Sequence, residues 1–102
     1  MEKPLKEIVN QIVKTADPDK IILFGSRSSG KTHQFSDYDL CVLKSGVKQR
    51  RKLTQKIYRS LFGTGIPVDI IVQTPKKFDQ LKDKWFLIYH DIAKYGKAIY
   101  EK

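Results

Sequence analysis

The chain has 102 residues, and 20 Lys and Arg against 11 Asp and Glu give a formal net charge of +9. This length suits a single domain over residues 1–102. The one cysteine, Cys41, has no internal disulfide partner, and no stretch approaches the roughly 20 apolar residues of a membrane-spanning helix. We therefore expect neither a disulfide scaffold nor a membrane protein, and with no secretory signal visible we expect a cytoplasmic location.

The first half of the chain predicts a helix followed by two strands. Pro4 suits the first turn of a helix. The apolar residues that follow recur at the spacing of one helix face, namely Leu5, Ile8, Val9, Ile12 and Val13. The unbroken apolar run 21–24 predicts a strand buried on both faces. Residues 25–36 are polar and predict a loop, whereas apolar and polar residues alternate from Asp37 to Val42, the period of a strand.

The second half predicts a helix over 47–62 with a basic outer side and a third strand over 67–72. Residues 74–95 are predicted to be mostly helical, with the aromatic stripe around Trp85 packed on the sheet as core, and 97–100 add a short strand. The fold class is α/β (α+β), a small mixed β-sheet with helices packed on it. Cys41 is interpreted as a small buried core residue.

Three carboxylates are the candidate metal ligands. Asp37 and Asp39 lie two residues apart on a predicted strand, so both point to the same face with α-carbons roughly 6.6 Å apart. Asp69 lies inside another apolar strand of the same predicted sheet. Acids that converge within apolar strands repel each other unless a cation lies between them, and a hard divalent ion, Mg²⁺, suits oxygen ligands.

A candidate phosphate site lies just upstream. Gly25 and Ser26 directly follow the first strand, where backbone N–H groups and a hydroxyl can hold phosphate oxygens. An anion site beside a metal site suggests a nucleotide.

These residues carry a family resemblance. Phe24-Gly25-Ser26, ten further residues and then Asp37-Tyr38-Asp39-Leu40 resemble the motif of the polymerase-β-type nucleotidyltransferase superfamily. The string GSRSSGKTHQFSDYDL looks most like its minimal, single-domain prokaryotic branch, the MNT proteins. The resemblance covers nearly the whole chain, because the order of elements and the downstream acid in PVDIIV also match.

The resemblance implies a reaction and its residues. Asp37 and Asp39 would bind two Mg²⁺ ions, and Asp69 would complete the ion nearer the attacking hydroxyl. Gly25 and Ser26 would hold the β and γ phosphates, with Arg27 as an added contact. The implied reaction moves a nucleoside monophosphate, AMP from ATP, onto an acceptor hydroxyl and releases pyrophosphate.

The resemblance also implies a partner. So short a chain leaves little room for an acceptor-binding domain, which points to an acceptor presented by another protein. Family members of this size are frequently paired with a HEPN-type toxin, which they counter by attaching AMP to a toxin tyrosine. Small-molecule hydroxyls are another possibility, and a non-catalytic module that sequesters its partner through its basic surface is the alternative from a different class. No RNA-recognition motif supports a nucleic-acid partner.

Two other interpretations compete for the same residues. Residues 25–32 also match the P-loop pattern GxxxxGK[ST], but only four residues separate Thr32 from the next strand, too few for the helix that a P-loop needs. Asp37 and Asp39 could simply be surface acids, an interpretation weakened by Asp69 and the Gly-Ser pair. The basic residues around 48–52 are most often a solvated helix face, with an acidic partner or RNA as the lesser alternative.

Overall fold

The computed structural model describes residues 1–25 and 37–102. Its elements are helix α1 (Lys3–Ala16), strands β1 (Lys20–Phe24) and β2 (Tyr38–Leu43), helix α2 (Arg50–Leu61), a 3-10 turn (Phe62–Thr64), strand β3 (Val68–Gln73), helices α3 (Pro75–Leu81) and α4 (Ile88–Tyr95), and strand β4 (Lys97–Glu101). No helix in this described part of the chain has the length and apolar character needed to cross a bilayer.

The four strands form one mixed sheet in the order β3-β2-β1-β4. β2 runs parallel to β3 and antiparallel to β1, which in turn is antiparallel to β4. The start of β2, the start of β3 and the end of β1 therefore meet at one end of the sheet. The mixed sheet with packed helices confirms the predicted fold class, including the short final strand.

The larger core lies between the sheet and the helices α1 and α2. Alternate residues of the strands face these helices, with Leu40 and Val42 of β2 fully buried beside Ile8 and Ile57. The apolar spacing of α1 predicted this burial. It stabilises the fold by about 25 cal/mol per Å² of apolar surface removed from water.

A smaller core lies on the opposite face of the sheet, beneath α4. It contains Ile22, Leu43, Ile92 and Cys41, with Phe78 packed against them. Cys41 is fully buried, and its burial raises the pKa of the thiol to about 12. This burial confirms the prediction of a core cysteine. A thiol that stays protonated in an apolar site is also a poor nucleophile.

Side chains of α2 protect the outer edge of β3. The Tyr58 hydroxyl accepts a hydrogen bond of 2.8 Å from the Ile70 amide, and Arg50 Nη1 donates one of 3.1 Å to the Val72 carbonyl. Outward-facing backbone groups of an edge strand are otherwise open to pairing with another chain. These two bonds also fix α2 against β3.

The predicted helix over 74–95 is wrong in its middle. Thr74 caps α3 as expected, accepting a hydrogen bond from the Lys77 amide, but α3 ends at Leu81 and α4 begins only at Ile88. A continuous helix of this length would extend roughly 33 Å at 1.5 Å per residue, well beyond strands of five or six residues. The break allows α4 to fold back onto the sheet.

The same break overturns the predicted aromatic core. Trp85 is 79% exposed, Phe86 66% and Tyr95 62%, whereas Phe78 is half-buried and Ile92 is buried. Trp85 lies in the turn between the two helices, where it contacts the Phe86 ring edge-on rather than the sheet. The helical spacing of apolar residues therefore did not report their burial here.

The region after α2 also differs in detail from its prediction. The helix predicted over 47–62 begins three residues later, at Arg50, and continues at its end as the 3-10 turn. Gly65 then adopts φ +68 and ends the helical segment, as the glycines there predicted.

Candidate functional site

Two of the predicted carboxylates lie side by side on neighbouring strands. Asp39 of β2 and Asp69 of β3 are register partners in the parallel pair, so their side chains leave the same face of the sheet. That face is the one opposite α1 and α2. Asp37 directly precedes β2 and is exposed, as is Asp69, whereas Asp39 is half-buried. Asp37, Asp39 and Asp69 are hereafter called the carboxylate site.

Asp39 is the carboxylate on which the electrostatic effect of the site falls. The pKa of Asp39 is raised, first by burial, then by the negative charge of Asp69 and then by that of Asp37. Each cause disfavours the ionised form, so the arrangement is unfavourable for the protein alone and favours a bound cation. A perturbed acid with charged neighbours is also characteristic of functional sites.

Gly25 packs its backbone directly against this site. β1 pairs Phe24 with Asp39, and the chain leaves the strand through Gly25 at φ +76. A Cβ atom at this position would overlap the Asp39 carboxylate. Glycine is therefore required here twice, by its left-handed backbone and by the absence of a side chain.

The carboxylate site has the donor chemistry that Mg²⁺ prefers, namely carboxylate oxygens. Among residues 1–25 and 37–102, no three His, Cys, Asp or Glu side chains are already gathered as a metal-binding group. The fit to Mg²⁺ thus rests on the donor type and on the mutual repulsion at Asp39. The predicted phosphate contacts Ser26 and Arg27 lie outside the described residues, as do Lys31 and the other residues of the P-loop match after Gly25.

The sequence analysis missed an apolar surface near the start of β3. Phe62 is 89% exposed and borders a surface pocket of about 260 Å³, the Phe62 pocket, lined by Tyr58, Leu61, Phe62, Gly65, Ile66 and Val68. One signal was available: Phe62 lies outside the i, i+4 stripe of Leu53, Ile57 and Leu61 that faces the core. An apolar residue out of phase with the buried stripe is a candidate for surface exposure.

Comparison with known families gives one match over most of the chain. Residues 3–94 match the family model described as "Nucleotidyltransferase domain". A search of curated protein sequences finds no significant match.

Several solved structures share the fold. A proposed nucleotidyltransferase from Sulfolobus solfataricus aligns with a TM-score of 0.70 at 21% identity, over 98% of this chain and 79% of that one. A toxin–antitoxin crystal structure with AMP-PNP aligns with a TM-score of 0.59 at 24% identity, over 95% and 73%. A variant of the toxin–antitoxin MntA-HpeT aligns with a TM-score of 0.60 at 21% identity, over 95% and 72%.

Proposed function

The chain belongs to the nucleotidyltransferase family, and we propose that it transfers AMP from ATP to a hydroxyl group of a protein partner, releasing pyrophosphate. The family match confirms the resemblance found in the sequence and identifies the protein as a transferase. The nucleotide, the acceptor and the site residues are the proposed part.

The observation that carries the proposal is the pairing of Asp39 with Asp69 beside the Gly25 turn. It supports the proposal because it brings carboxylate oxygens and a left-handed glycine backbone to the same end of the sheet. A transferase that acts on a nucleoside triphosphate needs both features next to each other.

In this proposal Asp37, Asp39 and Asp69 hold Mg²⁺. When bound, Mg²⁺ neutralises charge on the triphosphate and lowers the pKa of the acceptor hydroxyl. Asp37 and Asp39 orient the triphosphate beside Gly25, with Ser26 and Arg27 as further phosphate contacts. Asp69, on the neighbouring strand, serves the attacking hydroxyl oxygen.

The proposed biological role is that of an antitoxin whose acceptor is a HEPN-type toxin. Two of the structures that share the fold are toxin–antitoxin proteins, and one of these was solved with AMP-PNP. At 21–24% sequence identity, their structural similarity supports a shared fold, and the antitoxin role is our proposal.

The direct test incubates the protein with radiolabelled ATP, Mg²⁺ and the co-purified candidate partner. We expect α-labelled ATP to transfer label to the partner, γ-labelled ATP to transfer none, and EDTA to abolish transfer. Mass spectrometry should then find AMP on a hydroxyl side chain. If the partner is inhibited with no label on it, and Asp39→Asn inhibits it equally well, sequestration without catalysis is the correct function.

Asp69→Asn should separate turnover from nucleotide binding. Because Asp69 is proposed to serve the attacking oxygen rather than the triphosphate, we expect kcat to fall at least about 100-fold while the Kd for MgATP changes less than about threefold. Single-turnover transfer and isothermal titration measure the two quantities. Equal losses in both would refute the role assigned to Asp69. Asp83→Asn, a change at an exposed acid between α3 and α4, is the matched control.

A further inference from the structure

We propose that the outer face of α2 together with the Phe62 pocket is the docking surface for the acceptor protein, and that this protein docks through an acidic surface carrying an apolar side chain. The proposal rests on the function proposed above, because it concerns how the acceptor reaches the carboxylate site. Its evidence is the charge of α2, the order of the strands and the lining of the Phe62 pocket.

The charge around α2 is of one sign. Residues 40–68 contain seven Lys and Arg and no Asp or Glu. Arg50 is hydrogen-bonded to the β3 edge. The remaining cations of the helix are all exposed to solvent, namely Arg51, Lys52, Lys56 and Arg59. The ion pairs between described residues all lie elsewhere in the fold. An acid-free helix face of this kind is complementary to an acidic surface.

The strand order determines the side from which an acceptor approaches. Gly25 follows β1, Asp39 lies on β2 and Asp69 lies on β3, the edge strand of the described sheet. A triphosphate held beside Gly25 covers the β1 side of the carboxylate site. We therefore infer that the acceptor approaches Asp69 from the β3 edge, the edge along which the Tyr58 hydrogen bond holds α2.

The Phe62 pocket lies next to that approach. Val68, which lines the pocket, is the residue before Asp69; its side chain packs on the α2 face of the sheet while that of Asp69 leaves the opposite face, so the pocket and the carboxylate site are connected around the β3 edge. In this proposal a protein anchored in the pocket and along α2 extends around the β3 edge to bring a hydroxyl to Asp69. The basic face and the pocket thus border the β3 edge, around which the proposed acceptor reaches the carboxylate site.

The lining of the pocket favours a protein over a nucleic acid. Leu61, Ile66 and Val68 present aliphatic walls, and the exposed Phe62 ring forms the rim. Such walls suit an apolar side chain, and an exposed aromatic beside cations is typical of protein interfaces. A phosphodiester backbone would contact the cations of α2 but leave the pocket unfilled.

Binding of two synthetic acidic polypeptides tests the surface without knowledge of the natural partner. Poly(Glu,Tyr) offers carboxylates, aromatic rings and hydroxyls, whereas poly(Glu) offers carboxylates alone. The α2 variant combines four neutralising changes, Arg51→Gln, Lys52→Gln, Lys56→Gln and Arg59→Gln. Its matched control makes four such changes on α3, α4 and the turn between them, Lys76→Gln, Lys77→Gln, Lys84→Gln and Lys94→Gln, at exposed lysines. Fluorescence anisotropy gives the Kd for each polypeptide.

We expect the α2 variant to bind both polypeptides about tenfold more weakly and the control to change by less than about twofold. Phe62→Ser should weaken binding of poly(Glu,Tyr) and leave poly(Glu) unchanged. Equal losses in the α2 variant and the control, or an equal effect of Phe62→Ser on both polypeptides, would overturn the proposal. So would tighter binding of oligouridine than of poly(Glu,Tyr) to the α2 surface.

Two further readouts keep this proposal separate from the proposed function. All these variants should bind MgATP like the unmodified protein, because none changes the carboxylate site. If poly(Glu,Tyr) binds through α2 and Phe62 but receives no AMP from labelled ATP, while the natural partner receives none either, the catalytic proposal fails and the docking surface stands.

Discussion

Asp39→Asn is expected to reduce nucleotidyl transfer by at least about 10³-fold. Asp39 is the half-buried member of the carboxylate site, and the negative charges of Asp69 and Asp37 both raise its pKa. In the proposed function the negative charge of Asp39 holds Mg²⁺, which stabilises the transition state by several kcal/mol, and each 1.36 kcal/mol lost is a factor of ten in rate. Labelled-AMP transfer measures the loss, and residual activity within about tenfold of the unmodified protein would contradict the role proposed for Asp39.

The same substitution should increase stability when no metal is present. Because the pKa of Asp39 is raised in the folded state, the unfolded chain loses this proton first as the pH rises. The unmodified protein therefore loses stability as the pH rises from the ordinary value of 3.8 through the raised value, and Asp39→Asn avoids that loss. At neutral pH in EDTA we expect its Tm to be a few degrees higher.

Mg²⁺ should reverse this order of stability. Binding to the folded state raises Tm, and only the protein with an intact carboxylate site gains this effect. Asp83→Asn, at an exposed acid in the turn between α3 and α4, should show neither the gain in EDTA nor the loss of Mg²⁺ response. A lower Tm for Asp39→Asn in EDTA would show that the carboxylates do not repel each other in the folded protein.

The sequence predicted those elements whose periodicity matches their burial. In α1, Ile8 and Ile12 recur at helical spacing and are fully buried, and in β2 the alternation correctly places Leu40 and Val42 in the core. The stripe containing Trp85 has the same spacing but continues through the break between α3 and α4. Periodicity reports that a helix has an apolar face, and it does not report whether the sheet is long enough to cover that face.

The site was predictable in composition but not in arrangement. A period of two from Asp37 predicts that Asp37 and Asp39 share one side, and Asp69 is conspicuous within an apolar strand. Its register opposite Asp39 depends on how β2 and β3 pair, which one sequence does not specify. The contact between Gly25 and the Asp39 carboxylate depends on the same pairing of distant segments.

Gly25→Ala is the second substitution from which we expect a large effect. An L-residue at φ +76 costs about 1–2 kcal/mol, and here the added Cβ would also overlap the Asp39 carboxylate. The carboxylate must move, and a displacement near 1 Å in a reacting group can cost about 100-fold in rate. We therefore expect a folded, less stable protein whose AMP transfer falls at least about 100-fold.

Gly46→Ala separates the backbone cost from the displacement of Asp39. Gly46 has the same φ of +76, but a Cβ there would have nothing within 4 Å. Both variants should therefore lose Tm through the left-handed backbone, while only Gly25→Ala loses AMP transfer and the stabilisation by Mg²⁺. If Gly46→Ala lost transfer to the same extent, the effect would be one of general stability, and the requirement for glycine beside the carboxylate would not be catalytic. Loss confined to Gly25→Ala would instead show that the end of β1 and the acid of β2 act together, as the proposed phosphate contact and metal ligand require.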